Sequence, residues 1–351
     1  MLENVLEQFG INGEPKQFGD GHINTTYRIG NSYIVQKLNT NVFTNPAGVM
    51  DNACKVTEYI KNKLISMGED PSRQTIEFLR TKNGESMCEG EDGVYRAYKF
   101  IDNAYTVSDQ KTPGILFNAA KAIGKFQNLL SDFDASELFT VIPDFHNTPK
   151  RLENFKKALK QDRSGRARFV SAETEFALSF EPTAHAVTDA IDDGTVPLRV
   201  SHNDTKLNNV LFDIQTGEGL CLIDLDTVMS GSYLYDFGDA MRFGASSCAE
   251  DCTDLSKIYF DLELFEAFTA GYLSSASAVL TKREKELIFT SVILMTYECG
   301  TRFLTDYIDG DVYFKTAYPN HNLDRARNQY ALVRDMFSKR IEAENIVKKY
   351  L

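Results

Sequence analysis

Residues 24–39 alternate between polar and apolar side chains on both sides of a Gly30-Asn31 pair. Alternation that is interrupted by such a pair is typical of a β-hairpin, because successive side chains of a strand point to opposite faces. A pattern typical of a helix follows at residues 47–67 and ends near Gly68, a residue type that commonly stops helices. The beginning of the chain therefore predicts two paired strands and one helix.

Residues 73–101 contain further strand-like runs. Asn83-Gly84 and Asp92-Gly93 divide these runs, and both pairs favour tight turns. Together with the hairpin, these runs predict a small sheet within the first hundred residues.

Helical periodicity dominates from Pro113 onward. In residues 113–131 one helical face is apolar and carries Leu116, Ala120, Ile123, Phe126 and Leu130. Residues 323–351 predict one long closing helix. The apolar runs 208–213 and 219–227 are separated by a short polar segment, and they predict a β-hairpin set among the helices.

This order of elements predicts an α+β, two-lobed fold like that of the protein kinases. A small β-rich, nucleotide-binding lobe would span residues 1–102, and a larger, mostly helical lobe with the catalytic loop and the β-hairpin would span residues 103–351. The segment 100–105 would connect the lobes, and a nucleotide would bind in the cleft between them.

The charge balance excludes several classes of partner. The chain has 351 residues, with 38 Lys and Arg against 50 Asp and Glu, so its net charge is −12. Nucleic acids and anionic membranes are bound through clustered cations, so neither is expected as a partner. The six cysteines form no Cys-x-x-Cys pair, which favours ordinary reduced thiols over a zinc site.

No segment predicts export or insertion into a membrane. The first residues lack the basic and apolar regions of a signal peptide. The most apolar run, residues 287–295, is too short to span a bilayer. A cytoplasmic protein is therefore expected.

The segment VSHNDTKLNNVLFD, residues 200–213, has the pattern His-x-Asp-x-x-x-x-Asn. Phosphoryl transfer needs an acceptor hydroxyl held in position and metal ions that bridge the phosphates. Asp204 can accept the proton of that hydroxyl, and the amide oxygen of Asn209 can bind Mg²⁺, which prefers oxygen ligands. Asp224 follows an apolar run about twenty residues after Asp204, and its carboxylate can hold the metal from the other side.

Four further side chains flank these residues. Asp226 would face the same way as Asp224 if the strand continued regularly, and it could contact the metal or the substrate, or orient its neighbours. His202 is expected to brace the loop by hydrogen bonds rather than to act as a general base. Asp236 and Asp239 are expected to brace the segment that follows the metal site.

These motifs resemble those of the aminoglycoside phosphotransferase and choline kinase superfamily, in which His-(Gly/Asn)-Asp-x-x-x-x-Asn is followed by Ile-Asp. Within that superfamily, the chain resembles the bacterial N-acetylhexosamine 1-kinases more closely. The stretches that carry the resemblance run from residue 19 to residue 323 and are GDGHINTTY, VSHNDTKLNN, LIDLDTVMSGSYLYDFGDAMRFGAS, ECGTRFLTDYIDGDVYF and YPNHNL.

The resemblance implies an ATP- and Mg²⁺-dependent kinase that phosphorylates the anomeric C1 hydroxyl of N-acetylhexosamines (GlcNAc/GalNAc). It implies that Asp204 is the catalytic aspartate and that Asn209 and Asp224 are the metal ligands. ATP and a small amino sugar would then be the partners of the protein.

The same resemblance implies a pocket for the sugar. His22, Arg302 and Tyr313 fall where those kinases contact their substrate, and Asp226 is a fourth candidate. Sugars are held by polar groups that donate and accept hydrogen bonds in fixed directions, and these residue types supply such groups.

The turn expected to cover the phosphates is GDGHIN, with an asparagine where a third glycine would stand. Backbone amides and threonine hydroxyls would therefore hold the phosphates, and the candidate residues are Gly19, Gly21, Asn24, Thr25 and Thr26. The hinge backbone from Phe100 to Asp102 would meet the adenine ring.

Gln36 stands where the superfamily often has a lysine that pairs with the α- and β-phosphates. It is kept as a nucleotide-binding candidate, because Lys37 would point to the opposite face of a regular strand. Glu58, in the following helix, is expected to be a solvated charge rather than a partner for such a lysine. The sequence leaves the phosphate-pairing cation unidentified.

Two other functions remain open. The acceptor could be choline, homoserine or an aminoglycoside. The chain has no Trp for a cage around a quaternary ammonium group, whereas its acidic charge would suit an aminoglycoside. The chain could also be a non-catalytic binding module, although the catalytic aspartate and both metal ligands are present. The segments GHINTT and YIDGDVYF favour an amino sugar.

Overall fold

An antiparallel five-stranded sheet forms the first part of the fold in this computed structural model, which describes residues 2–19, 23–108 and 110–351. Its strands are β1 (Pro15–Gln17), β2 (Thr25–Ile29), β3 (Tyr33–Lys37), β4 (Cys88–Gly90) and β5 (Gly93–Lys99), in the order β1-β2-β3-β5-β4. The predicted hairpin is confirmed, because β2 pairs with β3 and Gly30 takes a positive φ of 56° in the turn between them.

The two faces of this sheet have different environments. One face packs on the first helix, α1 (Leu2–Phe9), through a small apolar cluster that includes Val35 and Tyr95. The opposite face carries Gln36 beside its cross-strand neighbour Arg96. Because side chains alternate along a strand, Lys37 lies on the α1 side, where its ammonium group is 2.7 Å from the Asp92 carboxylate.

The predicted helix after the hairpin is α2 (Pro46–Ser66). It begins with Asn45, whose side chain accepts a hydrogen bond from the Gly48 N–H at 3.0 Å, and with proline in the first turn. Gly68 lies just after its end with φ of 77°. Glu58 is exposed on this helix, as the sequence predicts.

The strand-like pattern of residues 75–82 does not form a regular strand. Phe78 makes only an isolated bridge to Tyr98, flanked by two backbone hydrogen bonds that join the segment to the end of β5. The other half of β5 is paired with β4, so two short segments share one edge of this strand. Neither segment has enough of the edge to extend into a longer strand.

The larger part of the fold is helical and surrounds one extended apolar core. Its helices are α3 (Pro113–Leu129), α4 (Thr148–Gln161), α5 (Ser171–Ser179), α6 (Glu181–Ala184), α7 (Ala186–Asp192), α8 (Tyr233–Gly244), α9 (Leu262–Ala276), α10 (Lys282–Asp309), α11 (His321–Ser338) and α12 (Arg340–Lys349). The central helix is α10, which packs against α4, α8 and α11. By length and composition α10 could cross a membrane, but 83% of its most apolar window is buried in the protein.

The closing segment forms two helices instead of the predicted single one. The chain turns at Lys339, whose ammonium group bonds to the Phe260 carbonyl oxygen at 2.8 Å. After this turn, Ala343 and Val347 are buried, and α12 packs against α9 and α10. Helical periodicity continues through the turn, so the sequence pattern alone does not reveal it.

Two small sheets lie among these helices. One contains β6 (Ala104–Tyr105), β8 (Val210–Asp213) and β9 (Gly219–Leu222), and the other pairs β7 (Arg199–Ser201) with β10 (Met229–Gly231). The predicted hairpin is confirmed by the antiparallel pairing of β8 with β9. The fold is therefore α+β and two-lobed, as predicted, whereas the lobe boundary between residues 102 and 103 stays a prediction.

Candidate active site

The loop between β7 and β8 is held in place by one buried carboxylate. Asp236, in the first turn of α8, is fully buried and accepts hydrogen bonds from the backbone N–H groups of His202 at 3.1 Å and Asn203 at 2.7 Å. The Ser201 hydroxyl and the Gln127 amide donate to the same carboxylate at 2.9 and 3.0 Å. All four of these groups donate to the Asp236 carboxylate. The carboxylate therefore fixes the backbone that leads into Asp204.

His202 joins the same loop to the strand that follows. Its Nε2 lies 2.9 Å from the Ile223 carbonyl oxygen, and its Nδ1 accepts a hydrogen bond from the Asp204 N–H at 3.3 Å. This pattern requires the tautomer with the proton on Nε2. His202 therefore braces the loop by hydrogen bonds, as the sequence predicts.

Asp204 lies at the partly open end of this loop. The Asn209 amide donates to the Asp204 backbone oxygen at 2.9 Å and to its carboxylate at 3.1 Å. The Lys206 ammonium group is 2.6 Å from the other carboxylate oxygen. Burial lowers the pKa of Lys206, but the charges of Asp204 and Asp239 and the hydrogen bond to Asp204 together leave this pKa above its ordinary value. Sequence reasoning missed Lys206, although a cation two residues after the catalytic aspartate was a visible signal.

Asp224 is placed beside Asn209 by the hairpin. The Ile223 N–H donates to the Asn209 carbonyl oxygen at 2.9 Å, immediately before Asp224. The strand ends at Leu222, and Asp224 takes a left-handed conformation with φ of 60°. The strand therefore does not continue regularly to Asp226, and the condition under which alternation would place it on the same face as Asp224 is not met.

The charge of the nearby Arg96 guanidinium only partly offsets the cost of ionising Asp224. Burial, and then the charge of Asp226, raise the pKa of Asp224 from 3.8 to about 6. No donor from the described ranges reaches the Asp224 carboxylate or the Asn209 amide oxygen. Mg²⁺ prefers oxygen ligands, and its charge would reduce the repulsion between the Asp224 and Asp226 carboxylates. The Asp224 carboxylate and the Asn209 amide oxygen therefore both fit such an ion.

The described part of the chain contains no group of three or more His, Cys, Asp or Glu that could hold a metal ion alone. A magnesium ion at Asn209 and Asp224 would therefore depend on oxygens from water and from nucleotide phosphates. That sharing of ligands is usual for Mg²⁺ in phosphoryl-transfer sites.

Asp226 is only 3% exposed, and both of its carboxylate oxygens have partners. One oxygen forms an ion pair with Arg96, and the other accepts a hydrogen bond from the Asn24 amide at 2.6 Å. Asp226 thus orients its neighbours across the cleft in this arrangement. Its predicted contact with a substrate stays a prediction.

Among the predicted nucleotide residues on the sheet, Thr26 shares the face that carries Gln36, whereas Thr25 pairs with Lys37 and lies on the opposite face. The Gln36 amide donates to the Thr26 hydroxyl at 3.0 Å, and its oxygen accepts from Arg96 Nε at 2.9 Å. The Asn24 oxygen accepts from the Asn39 N–H at 3.0 Å, which holds the start of β2. Gly19 and Thr25 are exposed. The predicted candidates Gly21 and His22 lie outside the described residues.

The hinge keeps two backbone groups available for a ligand. The Phe100 N–H donates to the Ser32 carbonyl oxygen, and the Asp102 carbonyl oxygen accepts from Arg73. The Phe100 carbonyl and the Asp102 N–H have no hydrogen-bond partner in the described ranges. One acceptor and one donor spaced in this way could pair with the amino group and a ring nitrogen of adenine.

Arg302 and Tyr313 lie close together near the C-terminal end of α10. The Arg302 guanidinium is 5.5 Å from the centre of the Phe314 ring, which makes an edge contact with Tyr313 at 4.8 Å. Tyr313 is 72% exposed, and its backbone N–H is fixed by the Asp306 carboxylate at 2.8 Å. Its backbone is therefore held in position, while its side chain is largely exposed to solvent.

Arg151, on α4, is a further cation in this region that sequence reasoning missed. Burial, and then the nearby Arg302 guanidinium, lower the pKa of Arg151 below its ordinary value. Its Nε is buried and has no acceptor in the described part of the chain. Only the fold brings α4 next to α10, so no local pattern around Arg151 marks it.

A buried chain of polar contacts links this region to the catalytic loop. Glu298 lies one helical turn before Arg302 and accepts from the Thr148 hydroxyl at 2.6 Å. Its other oxygen is 3.4 Å from Nδ1 of His146, whose Nε2 is 3.2 Å from the Asn203 carbonyl oxygen. Burial raises the pKa of Glu298, but His146, the charge of Arg302 and the hydrogen bond from Thr148 together lower this pKa overall.

Solved structures with a similar fold cover nearly the whole chain. A microcompartment-associated aminopropanol kinase matches 95% of this chain and 94% of its own, with 13% identity and a TM-score of 0.60. An aminoglycoside phosphotransferase from Alicyclobacillus acidocaldarius matches 94% and 92%, with 14% identity and a TM-score of 0.62. An amicoumacin kinase in complex with AMP-PNP and Ca²⁺ matches 94% and 92%, with 15% identity and a TM-score of 0.58.

These likenesses establish the fold. Residues 14–273, more than half of the chain, also match the model of the phosphotransferase enzyme family known as APH. This range includes the loop with Asp204, the hairpin and Asp224. The chain belongs to the APH phosphotransferase enzyme family.

Proposed function

We propose that the protein is a cytoplasmic kinase that transfers the γ-phosphoryl group of ATP to the anomeric C1 hydroxyl of N-acetylhexosamines. The products would be ADP and the sugar 1-phosphate, with release of the hydroxyl proton. Membership of the phosphotransferase family supports the reaction class. The choice of an amino sugar rests on the resemblance of the segments around Tyr27 and Tyr313, and on the side chains near Arg302.

Asp204 would orient the acceptor hydroxyl and accept its proton. Its carboxylate is partly open to solvent, and Asn209 and Lys206 hold it from two sides. Lys206 can also balance negative charge that develops on the transferring group. Mg²⁺ bound to Asn209 and Asp224 would neutralise charge on the nucleotide phosphates.

The observation that carries the substrate class is the pair of guanidinium groups beside an exposed aromatic ring. Arg302 and Arg151 lie close enough to interact electrostatically, and Tyr313 is near both. A sugar offers an apolar ring face to an aromatic side chain, and its polar oxygens can accept hydrogen bonds from a guanidinium group. An N-acetylated sugar is also neutral, so the two cations do not repel it.

A second candidate substrate is a cationic amino compound such as an aminoglycoside. A cavity of about 510 Å³ lies next to Asn203, and Asp144, Asp189 and Asp192 line it. Those carboxylates would attract a polycation, and the net charge of −12 acts in the same direction. The cations at Arg302 and Arg151 oppose choline or an aminoglycoside at Tyr313, so this candidate depends on the acidic cavity. Homoserine, a zwitterion, is a further open acceptor.

The test is a substrate panel with ATP and Mg²⁺. The acceptors would be GlcNAc, GalNAc, choline, homoserine and kanamycin, with phosphorus NMR of each product. The 1-O-methyl glycoside of GlcNAc is the matched control, because its anomeric oxygen is blocked. We expect a 1-phosphate from GlcNAc or GalNAc and no turnover of the methyl glycoside.

Each other outcome has a defined meaning. Turnover of kanamycin or choline alone would overturn the sugar assignment and favour the acidic cavity. Equal turnover of the methyl glycoside would place the phosphate on another hydroxyl. Absence of phosphate transfer to any acceptor, combined with tight ATP binding, would support the non-catalytic alternative.

A further inference from the structure

The phosphate-facing side of the sheet lacks the expected lysine. Gln36 occupies that position on β3, and the neighbouring Lys37 is on the opposite face in an ion pair with Asp92. Glu58, the possible partner of such a lysine on α2, is exposed. The lysine–glutamate pair that many kinases use is therefore absent from these positions.

Arg96 occupies the neighbouring position on β5. It is the cross-strand neighbour of Gln36, so the two side chains share a face and lie side by side. Arg96 is only 2% exposed. Its Nε donates to Gln36 Oε1 at 2.9 Å and its Nη1 pairs with Asp226, whereas Nη2 has no acceptor in the described ranges.

The guanidinium also lies close to the proposed metal ligand. Burial lowers the pKa of the Arg96 guanidinium, whereas the charge of Asp226 raises it. The charge of Asp224 raises this pKa further. A nucleotide polyphosphate that shares a metal ion with Asp224 would bring several more negative charges into this region. A fixed arginine with a free donor is well suited to bind phosphate oxygens, because its fork stays charged and can bond to two of them.

We propose that Arg96 is the residue that binds the α- and β-phosphates of the nucleotide, in place of a lysine on β3. This inference rests on the proposed nucleotide-dependent function. Gln36 is a positioning residue, since its amide holds Arg96 Nε and is itself held by Thr26. Asp226 is a second positioning residue, because its carboxylate pairs with Arg96 Nη1.

A purely structural role for Arg96 makes a different prediction. In that case Arg96 would only neutralise the buried Asp226 carboxylate. Its loss would then weaken the binding of ligands with and without phosphates equally. Breaking a buried ion pair by removing one partner leaves a charge uncompensated, so stability must be measured together with binding. Ligands with and without phosphates then separate the two roles.

The experiment is calorimetric binding of ADP and of adenosine to the full chain, with Mg²⁺ and no acceptor. For Arg96→Met we expect ADP to bind about 10- to 100-fold more weakly, because a charged hydrogen bond to phosphate is lost. Adenosine should bind within about twofold of wild type. Lys37→Met is the matched control, since it removes a cation one residue from Gln36 on the opposite face, and both affinities should be unchanged.

A second variant moves the cation instead of deleting it. In Gln36→Lys/Arg96→Met, the lysine returns to β3 beside the vacated position, and ADP affinity should recover to within about threefold of wild type. This variant also restores a charge near Asp226, so it serves if Arg96→Met alone fails to fold. Asp226→Asn, with Arg96 intact, should weaken ADP binding less than Arg96→Met does.

Three results would overturn the inference. They are an equal loss of ADP and adenosine affinity in Arg96→Met, an unchanged ADP affinity in that variant, and a folded double variant that does not recover ADP binding. Failure of the nucleotide dependence on which this inference rests is distinguishable, because wild-type protein would then bind neither ADP nor adenosine. Failure of the sugar assignment alone would leave all of these binding results unchanged.

Discussion

Replacing Asp224 with asparagine is expected to stabilise the metal-free protein while it abolishes phosphoryl transfer. The Asp224 carboxylate is half-buried and lies near Asp226 and Asp204. Burial, and then the charge of Asp226, raise its pKa from 3.8 to about 6. Asparagine has nearly the same shape and no charge, so it removes the cost of ionising this group.

The direction of the pH dependence follows from the raised pKa. The folded protein binds this proton more tightly than the unfolded chain does, so stability falls as the pH rises from 3.8 towards 6 and beyond. Because of this raised pKa, ionisation of Asp224 lowers the free energy of unfolding by about 3 kcal/mol at pH 7.5 and by about 1 kcal/mol at pH 4.5. For a chain of this length, 3 kcal/mol is about 4 °C in melting temperature.

Thermal unfolding of wild type and Asp224→Asn, without metal or nucleotide, measures this difference. The variant should melt about 4 °C higher at pH 7.5 and only slightly higher at pH 4.5. Asp213→Asn is the control of opposite sign, because the Thr216 N–H and then the Arg73 guanidinium lower the pKa of Asp213 to about 2. That variant should melt below wild type at both pH values, since the stabilisation is lost only as the pH falls from 3.8 towards 2.

The reasoning is refuted if Asp224→Asn melts at or below the wild-type temperature at pH 7.5. Addition of Mg²⁺ and ADP provides a further check, because ligands that bind only the folded state stabilise it. Wild type should gain more stability from them than Asp224→Asn does. An equal gain would remove Asp224 from the metal site.

Three more substitutions test other parts of the site. Arg302→Ala should raise the KM for the sugar far more than the KM for ATP, and equal effects on both would argue against a sugar contact. Asp236→Asn turns an amide towards donors that the carboxylate now accepts, so it should lower the free energy of unfolding by about 2–5 kcal/mol in urea titrations; a loss below about 1 kcal/mol would contradict the bracing role. Lys206→Met should lower kcat by about 10- to 100-fold with unchanged ADP affinity, and an unchanged kcat would exclude Lys206 from charge stabilisation.

Local patterns were sufficient for most of the fold. The Gly30-Asn31 turn, the helix that ends before Gly68 and the hairpin around residues 210–222 depend on neighbours in sequence, so periodicity and turn chemistry predicted them. The errors occurred where tertiary contacts decide. The last helix turns at Lys339, after which α12 packs on α9 and α10, and residues 75–82 share the edge of β5 with another segment.

The same contrast between local sequence patterns and tertiary contacts applies to the candidate active site. Asp204, Asn209 and Asp224 lie on one loop and one hairpin, so their spacing was visible as a motif. Arg96 forms an ion pair with Asp226, which lies 130 positions later in the sequence. No local sequence pattern predicts a contact between residues so far apart. Arg151 reaches Arg302 only because α4 packs on α10.

The most direct test of the central claim compares wild type with Asp204→Asn in the transfer of phosphate from ATP to GlcNAc and GalNAc. The hydroxyl proton has no acceptor in the variant, so kcat should fall by about 10²- to 10⁴-fold, while the melting temperature and ADP affinity stay close to wild type. Turnover that is unchanged in Asp204→Asn would contradict the account, because Asp204 would then take no part in the transfer.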